Sequence, residues 1–316
     1  YNSLFYPFSI YVHELINFYK FFPKFQHTEK LKYHLTITET PIKEYLLNQV
    51  EKHKALGLHF MKEKKWGQAI TNLKDAEKLS PNDIDVLLNL ANSCYYNKYY
   101  DEELSTRLKI ANIDENIEIN LDGLFWCYDR IENISKCIFY IDKLLMINEN
   151  NSQYHRMKGS KLEELGDFKK SLNSFTEAIK LDPKEPKNFH SRAYLNLYIN
   201  DLDSAYSDIK MAEKLNHTKT DILNCYANYY RLKNDIAKAL ESINTALKLS
   251  YDAILLGTKA VIYSTNGEDD LFYEYLIKAI DAGAATHRLY PDIKEKYRDN
   301  PKFKEILEKY NQKLYL

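Results

Sequence analysis

The chain has 316 residues, with 44 Lys and Arg against 45 Asp and Glu and a formal net charge of −1. That balance removes the electrostatic case for nonspecific binding to nucleic acid or to an acidic membrane surface, and no apolar run reaches the roughly 18 residues that a spanning helix needs. Four cysteines without paired spacing fit buried, reduced thiols in a reducing, cytoplasmic compartment better than a disulfide framework.

Residues 1–49 precede the periodic part of the chain. The opening YNSLFYPFSI has no basic segment followed by an aliphatic run, so it does not read as a signal peptide. It starts on Tyr1 rather than Met, which points to a processed protein or to a piece of something longer. From Pro7 to Phe22 the residues Phe8, Val12, Leu15, Phe18, Tyr19 and Phe22 keep a helical period, and Pro23 ends it. Tyr33 to Thr38 alternates apolar with polar side chains, the pattern of a short strand. Thr40-Pro41 then offers an N-cap and a first-turn proline for a helix that runs into the periodic part. We expect residues 1–49 to form a helical cap on the exposed end of an array. The competing readings are the remnant of an upstream domain and a homodimer contact through the aromatic N-terminal segment.

From residue 50 the chain repeats itself. Its clearest unit is SQYHRMKGSKLEELGDFKKSLNSFTEAIKLDPKE, from Ser152 to Glu185. Two helical patterns are joined there by Gly166-Asp167, and the second stops at Asp182-Pro183, where proline cannot continue a helix. Such a hairpin cannot bury its apolar face alone and must stack on neighbours. Small residues at Gly57, Ala91, Gly159, Ala193, Ala227 and Ala260 fall on steps of 34 residues, 33 at the last, with Phe125 the bulky exception. A second series, Ala76, Ala178, Ala212, Ala246 and Ala279, keeps the phase, with Ile110 and Leu144 substituting. A third, Ala69, Cys137, Ser171, Ala205 and Ala239, is broken by Glu103 and Phe272. Small side chains let crossing helices approach, so the three series mark helix crossings. The misfits at Glu103, Ile110 and Phe125 predict that 84–151 is the least stable part of the array, since stability in a solenoid is roughly a sum of local terms. After the last unit, Asn300-Pro301 opens an amphipathic helix with Phe303, Ile306, Leu307 and Tyr310 on one face.

The pattern resembles the tetratricopeptide repeat family, through Leu56-Gly57, Phe60, Ala69, Ala76 and Pro81 in one unit and Gly159, Leu162, Phe168, Ala178 and Pro183 in another. The resemblance implies an all-α chain, an α-solenoid built as a right-handed superhelix of seven helical hairpins with N- and C-terminal capping helices. The units would lie at 50–83, 84–117, 118–151, 152–185, 186–219, 220–252 and 253–285, with capping helices over 286–316. Glu115 and Glu149 stand where the closing proline of the second and third units belongs.

No catalytic constellation survives inspection. There is no Gly-rich phosphate loop, His13-Glu14 lacks a second histidine at helical spacing, His53 and His59 share no helix face, and Cys127 and Cys137 have no histidine to complete a tetrahedral set. The expectation is therefore no enzyme, no cofactor and no metal site. What remains is surface. In the family resembled, the first helix of each hairpin lines a concave groove, and the matching positions here include Asn92, Tyr95, Trp126, Asp129, Arg156, His190, Tyr194, Asn224, Asn228 and Arg231. Asparagine offers a donor and an acceptor to a peptide backbone, and exposed aromatics add contact area with little rotamer entropy to lose. The carboxylate clamp of chaperone-binding relatives is missing: Lys54 and Asn89 match it, whereas Leu58, Ile119 and Gly123 do not. The reading is a non-catalytic scaffold that binds a protein or peptide, with no nucleic acid and no membrane as partner. The alternative is a sensor or regulatory domain whose effector lies upstream of residue 1.

Overall fold

The computed structural model describes residues 29–284 and 290–310. Among the described residues there are sixteen helices and no strand. The chain divides into two compact units, Tyr1–Asn120 and Leu121–Leu316. The first holds α1 (Glu29–Lys62), α2 (Trp66–Leu79), α3 (Ile84–Tyr96) and α4 (Tyr100–Ile113), and α5 (Glu118–Arg130) begins at its end. The second continues with α6 (Ile134–Ile147), α7 (Ser152–Glu164), α8 (Phe168–Leu181), α9 (Pro186–Tyr198) and α10 (Leu202–Lys214). It closes with α11 (Lys219–Leu232), α12 (Ile236–Leu249), α13 (Ala253–Thr265), α14 (Asp269–Asp281), α15 (Pro291–Tyr297) and α16 (Pro301–Lys309).

The N-terminal expectations need correction. Residues 33–38 are helical, inside α1, and Thr40-Pro41 lies within that helix rather than at its start. A lone six-residue strand would have no neighbour for its backbone donors and acceptors, so bonding within a helix wins. The helix read over Pro7–Phe22, and with it most of the aromatic N-terminal segment, lies outside the described residues.

One backbone device recurs at every hairpin. Lys64, Lys98, Glu132, Gly166, Asn200, Asn234 and Gly267 all have positive φ, from 56° to 83°. The residue after each donates its N–H back across the turn to a carbonyl five residues earlier: Lys65 to Phe60, Tyr99 to Cys94, Asn133 to Tyr128, Asp167 to Leu162, Asp201 to Asn196, Asp235 to Tyr230 and Glu268 to Tyr263, at 2.8 to 2.9 Å. This left-handed closure satisfies carbonyls that a helix end leaves unpaired. The same residue often caps the next helix: the side chains of Asn133, Asp167, Asp201 and Asp235 accept from the N–H three positions on. Two backbone ends are thus served by two adjacent residues.

The small-residue series sit where the helices meet. Ala69, Ala76, Ala91, Ala178, Ala193, Ala205, Ala212, Ala227, Ala239, Ala246 and Ala260 are fully buried. A Cβ on Gly159 would stand 2.6 Å from the ring of Phe175, and one on Gly57 would stand 2.6 Å from Leu73 Cγ. Real side chains do not approach so closely, so glycine is what lets these helices touch. The Ser171 hydroxyl donates to the Gly159 carbonyl at 2.7 Å across the same crossing.

The misfit residues of the second and third repeats are buried rather than displaced. Phe125 fills its crossing, and the Cys137 thiol lies 3.8 Å from the Phe125 carbonyl. Glu103 is buried with Arg107 one turn on, whose Nε donates to Glu103 Oε1 at 3.0 Å. A charge at a position that is small elsewhere is tolerated because a countercharge is buried with it.

Near the C terminus α15 and α16 pack onto the preceding hairpins. Tyr297 stacks on Phe272 at 4.2 Å, Phe303 joins them, and the Tyr297 hydroxyl donates to Asp269 Oδ1 at 2.5 Å. Phe189, Ala193, Leu197, Ile222, Tyr290, Ile293, Tyr297 and Phe303 belong to one continuous apolar cluster.

Two substitutions check this packing. Ala178→Leu is expected to lose roughly 1–3 kcal/mol through overpacking, because its crossing has no free volume; a variant that unfolds at the wild-type urea midpoint would show the wrong register. Glu103→Ala is expected to lose about 3–5 kcal/mol by stranding the buried Arg107, while Glu103→Met with Arg107→Leu recovers most of it. Equal losses in the single and the double variant would show that the carboxylate matters for some other reason.

Candidate functional site

The ten groove positions fall into different environments. In the first compact unit, Asn92 is half-buried and its Oδ1 accepts from Arg107 Nη2 at 3.1 Å, so part of its capacity already serves the buried ion pair. Tyr95 is exposed and rests edge-on against Tyr96 at 5.1 Å, and Tyr96 in turn stacks on Trp66 at 4.4 Å.

In the second compact unit, Trp126 on α5 keeps 45% of its surface exposed while the adjacent Phe125 keeps 2%. The indole packs edge-on against the Phe125 ring at 4.8 Å. Phe125 therefore enters the crossing without rolling the tryptophan into it. Asp129, one turn along α5, pairs with Lys161, which also reaches Glu164 Oε2 at 2.9 Å. Arg156 is half-buried, and its Nε has no hydrogen-bond partner; burial pulls the guanidinium below its ordinary range and Glu185 opposes the shift.

The last positions are closed where the repeat pattern predicts an open groove. Asn224, Asn228 and Arg231 on α11 are buried, Arg231 at 2% exposure. The reason is twofold. The first helices α9, α11 and α13 pack directly side by side, which seals the asparagines, and Asn228 Nδ2 turns to the Asn224 carbonyl at 3.1 Å. The chain's own C-terminal segment then covers the arginine: Arg231 Nη1 donates to Asp292 Oδ2 at 2.6 Å and to Thr265 Oγ1 at 3.3 Å, and its guanidinium lies 4.7 Å from the Tyr290 ring centre. Tyr290 also contacts the rings of Tyr194 at 6.3 Å and Tyr198 at 5.8 Å. Burial pushes its phenol well above the ordinary value, so it stays neutral beside the arginine. Tyr194 and Arg231 thus receive an internal aromatic ligand.

One constellation has no signature in the spacing of the sequence. His190 on α9, His217 in the turn after α10 and Asp221 on α11 each present a ligating atom, and these atoms lie within 4.8 Å of one another. The imidazoles of His190 and His217 lie 4.5 Å apart. His217 Nε2 approaches Asp221 Oδ2 at 3.3 Å yet makes no hydrogen bond. Burial, then the positive charge of His217, pushes His190 down to about 4, with Asp221 opposing and Arg156 reinforcing the shift. Burial also lowers His217. A neutral imidazole keeps one ring nitrogen with a free lone pair, the form in which histidine binds a metal. The only sequence signal is the four-residue step from His217 to Asp221; His190 is joined to them by the fold alone.

Among the described residues no helix is long and apolar enough to cross a membrane. Cys94, Cys127, Cys137 and Cys225 are all free and buried. Burial pushes Cys94 and Cys225 up to about 12 and Cys137 up to about 11, so these thiols stay protonated and are poor nucleophiles.

No protein-family model matches the sequence. A TPR repeat-containing protein of Methanocaldococcus jannaschii is 25% identical over 194 residues, covering 58% of this chain. The match spans only 34% of that relative's length. Among solved structures, a tetratricopeptide repeat protein from Parabacteroides merdae superposes with a TM-score of 0.69 at 15% identity, covering 84% of this chain and all of the other. PilW, a widely conserved type IV pilus biogenesis factor, reaches a TM-score of 0.54 at 18% identity over 65% of this chain and 96% of its own. With the 34-residue period, the repeated hairpin closure and the buried small-residue series, these likenesses identify the architecture: the chain has the tetratricopeptide-repeat fold.

Proposed function

We propose that this chain is a non-catalytic scaffold that holds a protein or peptide partner on the first helices of its hairpins. The observation that carries the reading is Trp126. A tryptophan left about half-exposed beside a buried phenylalanine is placed for contact, since burial was sterically available to its neighbour and not taken by it. Asp129 lies one turn on along α5, paired with the largely buried Lys161 of α7, and supplies a polar edge of the kind that surrounds aromatic anchors. Protonated, buried thiols and the lack of a catalytic constellation support a binding role in a reducing, cytoplasmic setting. The near-zero net charge speaks against nucleic acid as partner. Asn224, Asn228 and Arg231 are not part of the proposed surface, because the fold and the C-terminal segment already occupy them.

A second reading, the regulatory part of a larger protein, is favoured by one fact: the curated relative extends well beyond the matched stretch. Both readings share the same contact surface and differ in what lies outside it.

The test is affinity capture from source-cell lysate with the wild-type chain and with Trp126→Ala, followed by calorimetry on whatever the wild type alone retains. Trp126→Ala is expected to weaken that complex by about 2 kcal/mol or more, as hot-spot tryptophans do, with the melting temperature nearly unchanged because the side chain is half-exposed. A large drop in stability at unchanged affinity would place Trp126 in the core and remove this surface from the proposal.

A further inference from the structure

We infer that His190, His217 and Asp221 form a binding site for a divalent transition-metal ion of the zinc class, independent of the partner surface around Trp126. Two imidazole nitrogens and one carboxylate oxygen make up a donor set that zinc takes in sites with an open position, whereas calcium and magnesium prefer oxygen throughout. The spacing fits. Metal–ligand bonds of roughly 2.0–2.1 Å at a tetrahedral angle put neighbouring ligand atoms about 3.3 Å apart. His217 Nε2 and Asp221 Oδ2 already stand 3.3 Å apart, and the whole set lies within 4.8 Å, so modest side-chain rotation brings the third ligand in.

The strongest pointer is His217. Its side chain is only 7% exposed, yet Nε2 has no hydrogen-bond partner and faces the Asp221 carboxylate. A buried polar atom without a partner carries a desolvation penalty that a bound cation would remove.

The backbone holds the ligands in place. Asn216 takes a positive φ of 59°, and the His217 N–H donates to the Ala212 carbonyl at 3.0 Å, fixing the turn that presents the imidazole. His190 and Asp221 lie near the starts of α9 and α11, two helices that pack against each other. Asp221 supplies a negative charge in direct contact. Of the other charged groups that act on the two imidazoles, Glu185 is negative and Arg156 and Lys187 are positive, so affinity must come from the direct bonds rather than a broad negative field. The Asp221 side chain is 46% exposed and opens the site to solvent, which leaves the remaining coordination positions to water. An ion there would tie α9, the α10–α11 turn and α11 together, so that binding adds to the stability of these hairpins.

The experiment uses the full chain, freed of any affinity tag, stripped with chelator and dialysed, and titrated with Zn²⁺ alone by calorimetry. Co²⁺ serves as the spectroscopic substitute. One equivalent is expected to bind, with a melting temperature that rises with free Zn²⁺ and visible ligand-field bands from Co²⁺ at low coordination number. Asp221→Asn keeps the shape of an exposed side chain and should fold as wild type; it is expected to weaken Zn²⁺ at least about 10-fold, and His190→Gln with His217→Gln more strongly. Absence of saturable one-to-one binding up to about 1 mM Zn²⁺, a free-energy scale of roughly 4 kcal/mol, would overturn the inference. So would unchanged affinity in Asp221→Asn and in the double histidine variant, since the ion would then sit elsewhere.

Discussion

Each hairpin depends on one backbone hydrogen bond thrown across a left-handed residue. Without it, the first helix of a pair would run on or end frayed, and the second would have no fixed angle of departure. Because the closure recurs at Lys64, Lys98, Glu132, Gly166, Asn200, Asn234 and Gly267, successive hairpins present their small-residue faces in the same phase. Only then do the buried alanines meet opposite surfaces, and only then does stacking bury what a lone hairpin would expose. A lysine or glutamate in the left-handed region costs about 1–2 kcal/mol relative to the ordinary helical basin. That three of the seven turns accept this penalty shows how much apolar burial the correct angle secures.

The first helices of the second compact unit use their surface in two ways. Toward Trp126 the side chains remain open and mixed in polarity. Toward Arg231 they are covered by Tyr290, Asp292 and Ile293, which bring an aromatic ring, a carboxylate and an aliphatic branch to Tyr194, Tyr198 and Arg231. This C-terminal segment gives the buried guanidinium a carboxylate at Nη1 and an aromatic face, while its Nε and Nη2 keep no hydrogen-bond partner, so the countercharge offsets only part of the cost of holding it away from water.

The fold was legible in the sequence because a constraint on side-chain size, repeated at a fixed step, survives wide variation elsewhere. Gly159 and Ala178 announce their crossings directly; Phe125 and Glu103 break the rule, and only the coordinates show a filled crossing and a buried Arg107 partner. The alternation of residues 33–38 misled because a strand needs a neighbour that six residues cannot name. Surface assignments suffered from a different blindness. Repeat position marks Asn228 and Arg231 as groove residues, but whether a groove stays open depends on how closely first helices pack and where the chain's end returns. His190 and His217 stand far apart in sequence and meet only through the packing of α9 and α11 with the turn between α10 and α11, so no local motif could reveal them.

Turn closures set one repeat apart have a consequence for how such a chain changes length. Removing or duplicating a segment from one left-handed residue to the next, say from Asn200 to Asn234, would restore a turn of the same geometry at the junction. An insertion of one to three residues within a helix would rotate the later side chains of that helix about its axis, by about 100° per residue, and turn its alanines away from their crossings. Length in this protein is therefore quantised: inheritance by whole hairpins preserves the interfaces, and the final step of 33 residues marks the tolerance of that rule.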